Sequence, residues 1–197
     1  ALVAHIPGLK VAMPSSAYEA KGLMKTAIRD DNPVVIFEDK LMYNDKAPVP
    51  EEEFLIPFGE ANIKREGSDI TLIGNSSMVQ VCETAAEILA KEGIEAEVID
   101  PRTIVPLDEA AILKSAKKTS RVIVVDEGHQ SFGITGEIAS RINETAFYHL
   151  DAPALRMGAM DVPVPFSPVL EDITVPTPET VAENARKLMS REMIHAA

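Results

Sequence analysis

Cysteine occurs once in the 197 residues, as Cys82, so no disulfide can form within the chain and a reducing compartment such as the cytoplasm suits it. Basic residues are scarce too: 19 lysines and arginines face 31 acids, a net charge of −12 with a pI near 4.8. A nucleic-acid backbone or an anionic membrane would be repelled by that balance, which excludes both as main partners. No apolar run approaches the roughly 18 residues of a membrane span, and no signal peptide opens the chain. The start, Ala1-Leu2-Val3-Ala4, lacks an initiator methionine and reads as the broken edge of something longer.

Familiar catalytic signatures are missing as well. His5, His129, His149 and His195 include no pair at metal-ligand spacing, so no zinc site is expected. The stretch from Gly128 through Gly133 to Thr135 has the glycine spacing of a phosphate loop. Position 134 is isoleucine where that motif needs lysine, leaving a tight strand-to-helix turn. There is no Gly-x-Gly-x-x-Gly fingerprint for a dinucleotide and no Gly-x-Ser-x-Gly elbow for a hydrolase. Cys82 lies on an apolar helix face and reads as packing. His129 follows Asp126 and Glu127 at the carboxyl end of a strand, an edge where open α/β sheets place ligands, and reads as a solvated turn residue. Glu51 to Glu53 form a solvated face.

What is present is the raw material of a core. Hydrophobic residues make up 46% and charged ones 25%, proportions of an ordinary globular protein. At this length roughly 70% of the unfolded surface can be buried. Leu9 to Pro14 and Val34 to Phe37 read as strands around a helix that Ser16 and Glu19 open with a capping box and that runs to about Arg29. Such a unit cannot close a core alone. From Lys40 to Gly67, with Pro48, Pro50 and Pro57 and little periodicity, the chain reads as an extended linker draped over a neighbour.

Beyond Ser68 strands and helices alternate. Ile70 to Gly74, Glu97 to Asp100, Arg121 to Asp126 and Ala154 to Met157 read as strands. A helix capped by Ser77 and Gln80 runs until Gly93, a short one follows Asp108 with Leu107 and Ile112 as its staple, another runs from Ile134 to about Leu150, and Thr177-Pro178 opens the last. This order predicts a mostly parallel sheet with helices on both faces. Spacing and composition name no reaction.

The residues themselves, however, carry a likeness. Pro7-Gly8-Leu9-Lys10-Val11, Ala20-Lys21-Gly22-Leu23, Ala27-Ile28-Arg29-Asp30, Asn32-Pro33-Val34-Val35, Glu66 to Thr71, Val98-Ile99-Asp100-Pro101-Arg102-Thr103, Pro106-Leu107-Asp108, Val125 to His129 and Leu150-Asp151-Ala152-Pro153 closely resemble the beta subunit of thiamine-diphosphate-dependent 2-oxo acid dehydrogenases. Pyruvate, branched-chain and acetoin components share the pattern, and Ile56 to Ala61 with Pro165-Phe166-Ser167 look slightly more like the acetoin enzymes. The resemblance implies an α/β fold: a three-layer αβα transketolase C-terminal-like domain with a mostly parallel sheet at 68–197, a linker at 41–67, and at 1–40 the tail of a pyrimidine-binding domain.

It further implies thiamine diphosphate with magnesium in an assembled enzyme, bound by other parts of it. The family's activating glutamate and catalytic histidine belong upstream of these residues, so no catalytic or cofactor-binding residue is assigned here. One site carries over, a potassium site built from main-chain oxygens of Ala27, Ile28, Asp30 and Asn32. A helix end offers orphan carbonyls with partial negative charge to a hard cation, though unaided they usually find water. The implied partners are an alpha subunit and a second beta subunit in an alpha2-beta2 assembly, and a lipoyl acyltransferase core, with no nucleic acid and no membrane. Residues 41–60 and 151–180 each hold five acids against one base and together account for −8 of the −12. That concentration suggests an acidic docking face for a small basic domain of the core, with Asp161, Glu171 and Asp172 as candidates. The alternatives are a non-catalytic assembly and docking module of the same complex, or a relative of transketolase or deoxyxylulose phosphate synthase.

Overall fold

A computed structural model describes residues 1–190. Its main body is a five-stranded sheet in the order β3-β5-β4-β7-β8, where β3 is Asn62–Arg65, β4 Ile70–Gly74, β5 Ala96–Asp100, β7 Val122–His129 and β8 Leu155–Ala159. Four strands run parallel and β3 is antiparallel on the β5 edge. Alternation along each strand decides which helices it meets. Leu72, Val98, Ile123 and Val125 pack under α2 (Met78–Ala90) and α6 (Pro178–Met189). Ile73, Ile99, Val122 and Val124 pack under α3 (Glu109–Thr119) and α4 (Ile134–Ala146). The result is the expected three-layer αβα arrangement.

A second, smaller sheet has the order β2-β1-β6, with β1 at Lys10–Ala12, β2 at Val34–Ile36 and β6 at Thr103–Val105. The helix between its first two strands is α1 (Ala17–Ile28). Strand β6 comes from the later part of the chain and pairs antiparallel with β1, which joins the two sheets through the main chain. Ala12, Leu23 and Ile56 form the core of this unit, with Phe54 and Phe58 closing over it. The strand-helix-strand unit thus buries its face with help from elsewhere in the chain.

Several expectations need correction. Residues 40–67 are not featureless: Lys40–Asn44 is a 3-10 turn and β3 is a paired strand. The short β3 alternates poorly because as an edge strand it covers little core. Ser77 does not cap α2 through its side chain. Its backbone is helical, its hydroxyl donates to Glu127 at 3.2 Å, and Gln80 reaches Asp45 at 3.1 Å. The helix expected to reach Leu150 ends at Ala146 and gives way to a 3-10 turn, Phe147–His149. A five-residue helix α5 (Pro168–Asp172) stands inside the proline-rich stretch.

Candidate functional site

Helix α1 ends where the cation loop was expected. Thr26 Oγ1 donates to Ile56 O at 2.7 Å, and the Asp30 N–H closes the turn on Ala27 O at 3.2 Å. Asp30 then folds back: its Oδ1 accepts from the Asn32 N–H and side-chain amide, both at 2.9 Å, while Oδ2 pairs with Lys10. Lys10 and then Asn32 hold the Asp30 carboxyl low, at about 2. Among the described residues, the main-chain oxygens of Ile28, Asp30 and Asn32 accept no hydrogen bond, whereas that of Ala27 already does. Main-chain carbonyls on such a loop are a donor set of the hard, neutral kind a monovalent cation takes.

A more elaborate constellation lies where the small unit meets the main sheet, and the sequence reading did not foresee it. Asp100, the last residue of β5, is fully buried and accepts from Ser15 Oγ at 2.5 Å and from the Arg102 N–H at 2.8 Å. Arg102 has a left-handed backbone (φ 59°), and its carbonyl takes the N–H of Met13 at 2.9 Å. From there its guanidinium reaches the Glu19 carboxylate in the first turn of α1 at 3.5 Å. Glu19 is 2% exposed and also faces Lys64 of β3 at 3.7 Å and the Asn62 amide at 3.5 Å. Burial pushes Glu19 up, but the Ser16 hydroxyl, Lys64 and Arg102 together outweigh it and hold the carboxyl below its ordinary value. For Asp100 burial wins, raising it to about 6 against the bonds from Ser15 and Arg102.

The signal for this seam was available in part. Asp100-Pro101-Arg102 sets two opposite charges at the end of a wholly buried strand, a place where water cannot solvate both. Glu19 was read only as a helix cap. The Ser16 side chain does accept the Glu19 N–H at 3.3 Å, and its hydroxyl donates to the Glu19 carboxylate, so the cap and the seam share one residue.

At the carboxyl ends of β4 and β7 the sheet changes winding direction. Asp126 is buried there and burial raises it, with the Gly128 N–H at 3.3 Å opposing. Glu127 is raised as well, by burial and by the nearby Asp39. His129 ends β7, and its Nε2 lies 2.9 Å from Val162 O, so it pins a loop rather than lining a ligand site. Asp161 accepts from Ser131 Oγ at 2.5 Å and from its N–H at 3.2 Å, which hold its carboxyl low. Asp161, Glu171 and Asp172 are all exposed. Cys82 is wholly buried and burial drives its thiol far above the ordinary range, consistent with packing. His195 lies outside the described residues.

A three-layer αβα body with a mostly parallel sheet, joined to a smaller α/β unit, is the architecture of a transketolase-type protein. Residues 59–181 match the transketolase C-terminal domain and residues 1–46 the transketolase pyrimidine-binding domain; the chain belongs to the transketolase C-terminal-domain family. It is similar to the beta subunit of acetoin:2,6-dichlorophenolindophenol oxidoreductase of Bacillus subtilis, 46% identical over 194 residues, covering 98% of this chain and 57% of that protein. It is also similar to pyruvate dehydrogenase E1 beta subunits, at 45% identity in Dictyostelium discoideum and 46% in Rattus norvegicus, each covering 94% of this chain and 53% of the relative. The chain therefore spans little more than half the length of these curated relatives. Among solved structures, a split-gene transketolase described as an inactive beta4 tetramer superposes with a TM-score of 0.78 at 23% identity, covering 98% of this chain and 61% of that one. That likeness concerns the fold.

Proposed function

We propose that the chain is the carboxyl-terminal portion of the beta subunit of a thiamine-diphosphate-dependent 2-oxo acid or acetoin dehydrogenase, a component that passes an acyl group to the lipoyl arm of an acyltransferase core. The observation that carries this is the 46% identity spread over 98% of the chain to a protein named as the beta subunit of acetoin:2,6-dichlorophenolindophenol oxidoreductase. The partners in this reading are an alpha subunit, a second beta subunit and the acyltransferase core. The domain division is residues 1–40 as the tail of the pyrimidine-binding domain, 41–67 as the connection and 68–197 as the transketolase C-terminal-type domain.

The reading places thiamine diphosphate and its magnesium on other parts of the assembled enzyme. Among the described residues no three His, Cys, Asp or Glu side chains gather where they could hold a metal ion. No step is assigned through the cofactor or its metal. What these residues contribute is a rigid frame, in which the Glu19–Arg102–Lys64 seam fixes α1 against the main sheet. The Ala27–Asn32 loop fits a potassium ion better, with the main-chain oxygens of Ala27, Ile28, Asp30 and Asn32 as its ligands; the ion would hold the end of α1 in one conformation. Crystals of the complete subunit soaked in thallium or rubidium should give an anomalous peak among these carbonyls, and a featureless map there rejects the site. The functional reading is tested by reductive acylation of a lipoyl domain by the complete subunit with its companion, offered pyruvate, branched-chain 2-oxo acids and acetoin in turn. Acylation from one of them is expected; acylation from none rejects the reading.

A further inference from the structure

A cavity of about 870 Å³ opens between α4, strand β6 and the residues ahead of β1, and it shares no lining residue with the Asp100–Arg102–Glu19 seam. Leu2, Ile104, Val105, Leu107, Ile134 and Ile138 give it apolar walls. Its size lies within the range of roughly 300–1,000 Å³ in which proteins hold small molecules. Phe132 stands at its edge in a left-handed backbone conformation (φ 59°) that is costly for a bulky side chain, and its ring is 98% exposed. No packing among the described residues offsets that conformation; the ring is set where it can cover a guest.

Charge selects the guest. The chain carries −12 overall, yet the cavity is lined by two arginines against one glutamate. Arg141 is taken up by Glu137 at 2.7 Å and by Glu109 at 3.1 Å. Arg156 on β8 is not taken up: among the described residues its one polar contact is the Gln130 carbonyl, at 3.5 Å. Its Nη1 lies 3.6 Å from where a Cβ on Gly136 would stand, so the guanidinium sits beside the first turn of α4. The glycine-spaced turn before that helix has no lysine at 134, and Arg156 sets a cation next to it from a neighbouring strand. A single unpaired guanidinium matches the two oxygens of one carboxylate, whereas a phosphate dianion would leave a charge unmatched beside Glu137. We infer that this cavity is a binding site for a monocarboxylate with an apolar body, its carboxylate on Arg156 and its body against Ile104, Leu107 and Phe132. The site is separate from the acyl transfer proposed above and stands independently of it.

The complete subunit with its companion chain tests this by calorimetric titration with octanoate, octanol and octylamine. Octanoate should bind once per subunit and octanol at least about tenfold more weakly; octylamine should be weaker still, since an ammonium meets Arg156 as a like charge. Arg156→Gln should remove the preference for octanoate over octanol and leave octanol binding as it was. Gly136→Leu, where an added side chain enters the cavity without meeting backbone, should keep its melting temperature and abolish the binding of both. Should that variant unfold, Arg156→Gln, at an exposed position, decides alone. Amide hydrogen exchange should slow at Ile104 to Leu107 and in the first turn of α4 when octanoate is added. Failure of the complete subunit to bind octanoate overturns the site, and so does octanoate that binds no better than octanol. Binding left unchanged by Arg156→Gln, or protection found only in other segments, overturns it as well.

Discussion

Asp100 is the residue on which the physical chemistry of this chain can be read most directly. Its carboxyl is raised to about 6 because burial disfavours the charged form more than Ser15 and Arg102 favour it. A raised acid stabilises the fold in its protonated form. That contribution is complete below the ordinary carboxylate value and is lost as pH climbs through about 6. Replacing it by Asn, which keeps the shape and stays neutral, should flatten the fall in stability between pH 4 and pH 7, by on the order of 2 kcal/mol at the upper end. Thermal melts at steps of pH check it, and an unchanged slope contradicts it. Arg102→Ala removes one of two cations facing the buried Glu19 and should cost about 2–4 kcal/mol, with Arg102→Lys recovering part. Cys82 was legible from sequence because apolar periodicity alone places it. The Asp100–Arg102–Glu19 contacts were not, because they join residues more than eighty positions apart, and nothing local marks Glu19 as anything but a cap.

Among the elements, those that bury a full stripe or face were legible and those that do not were missed. Strand β4 follows its apolar run residue for residue, and α2 begins where its apolar face begins. Strand β3 and strand β6 escaped because their pairing partners, not their own alternation, make them strands. The approach to β3 shows how tightly that pairing is built. A methyl on Gly67 would collide with the main chain of Ala96 and Glu97, which cannot swing aside as a side chain can. Gly67→Ala should therefore destabilise the protein toward the upper end of about 1–3 kcal/mol, and amide hydrogen exchange should quicken first along β3 and β5. Full stability in that variant contradicts the close approach. Of the loop proposed for a cation, sequence supplied the helix end, since Asp30-Asp31-Asn32-Pro33 must break a helix; how Asp30 folds back onto Asn32 is a matter of side-chain geometry.

For the whole molecule, the fold was legible because alternation of strand and helix leaves few ways to bury both faces of a sheet. The reaction was not, because no spacing or composition in the sequence names one. Likeness to relatives nearly twice as long carries the function instead. The most direct measurement compares turnover of 2-oxo acids and acetoin, with thiamine diphosphate and magnesium supplied, by this 197-residue chain alone and by the complete subunit joined to its companion chain. The account predicts no turnover by the chain and turnover by the assembly. Turnover by the chain on its own would contradict it.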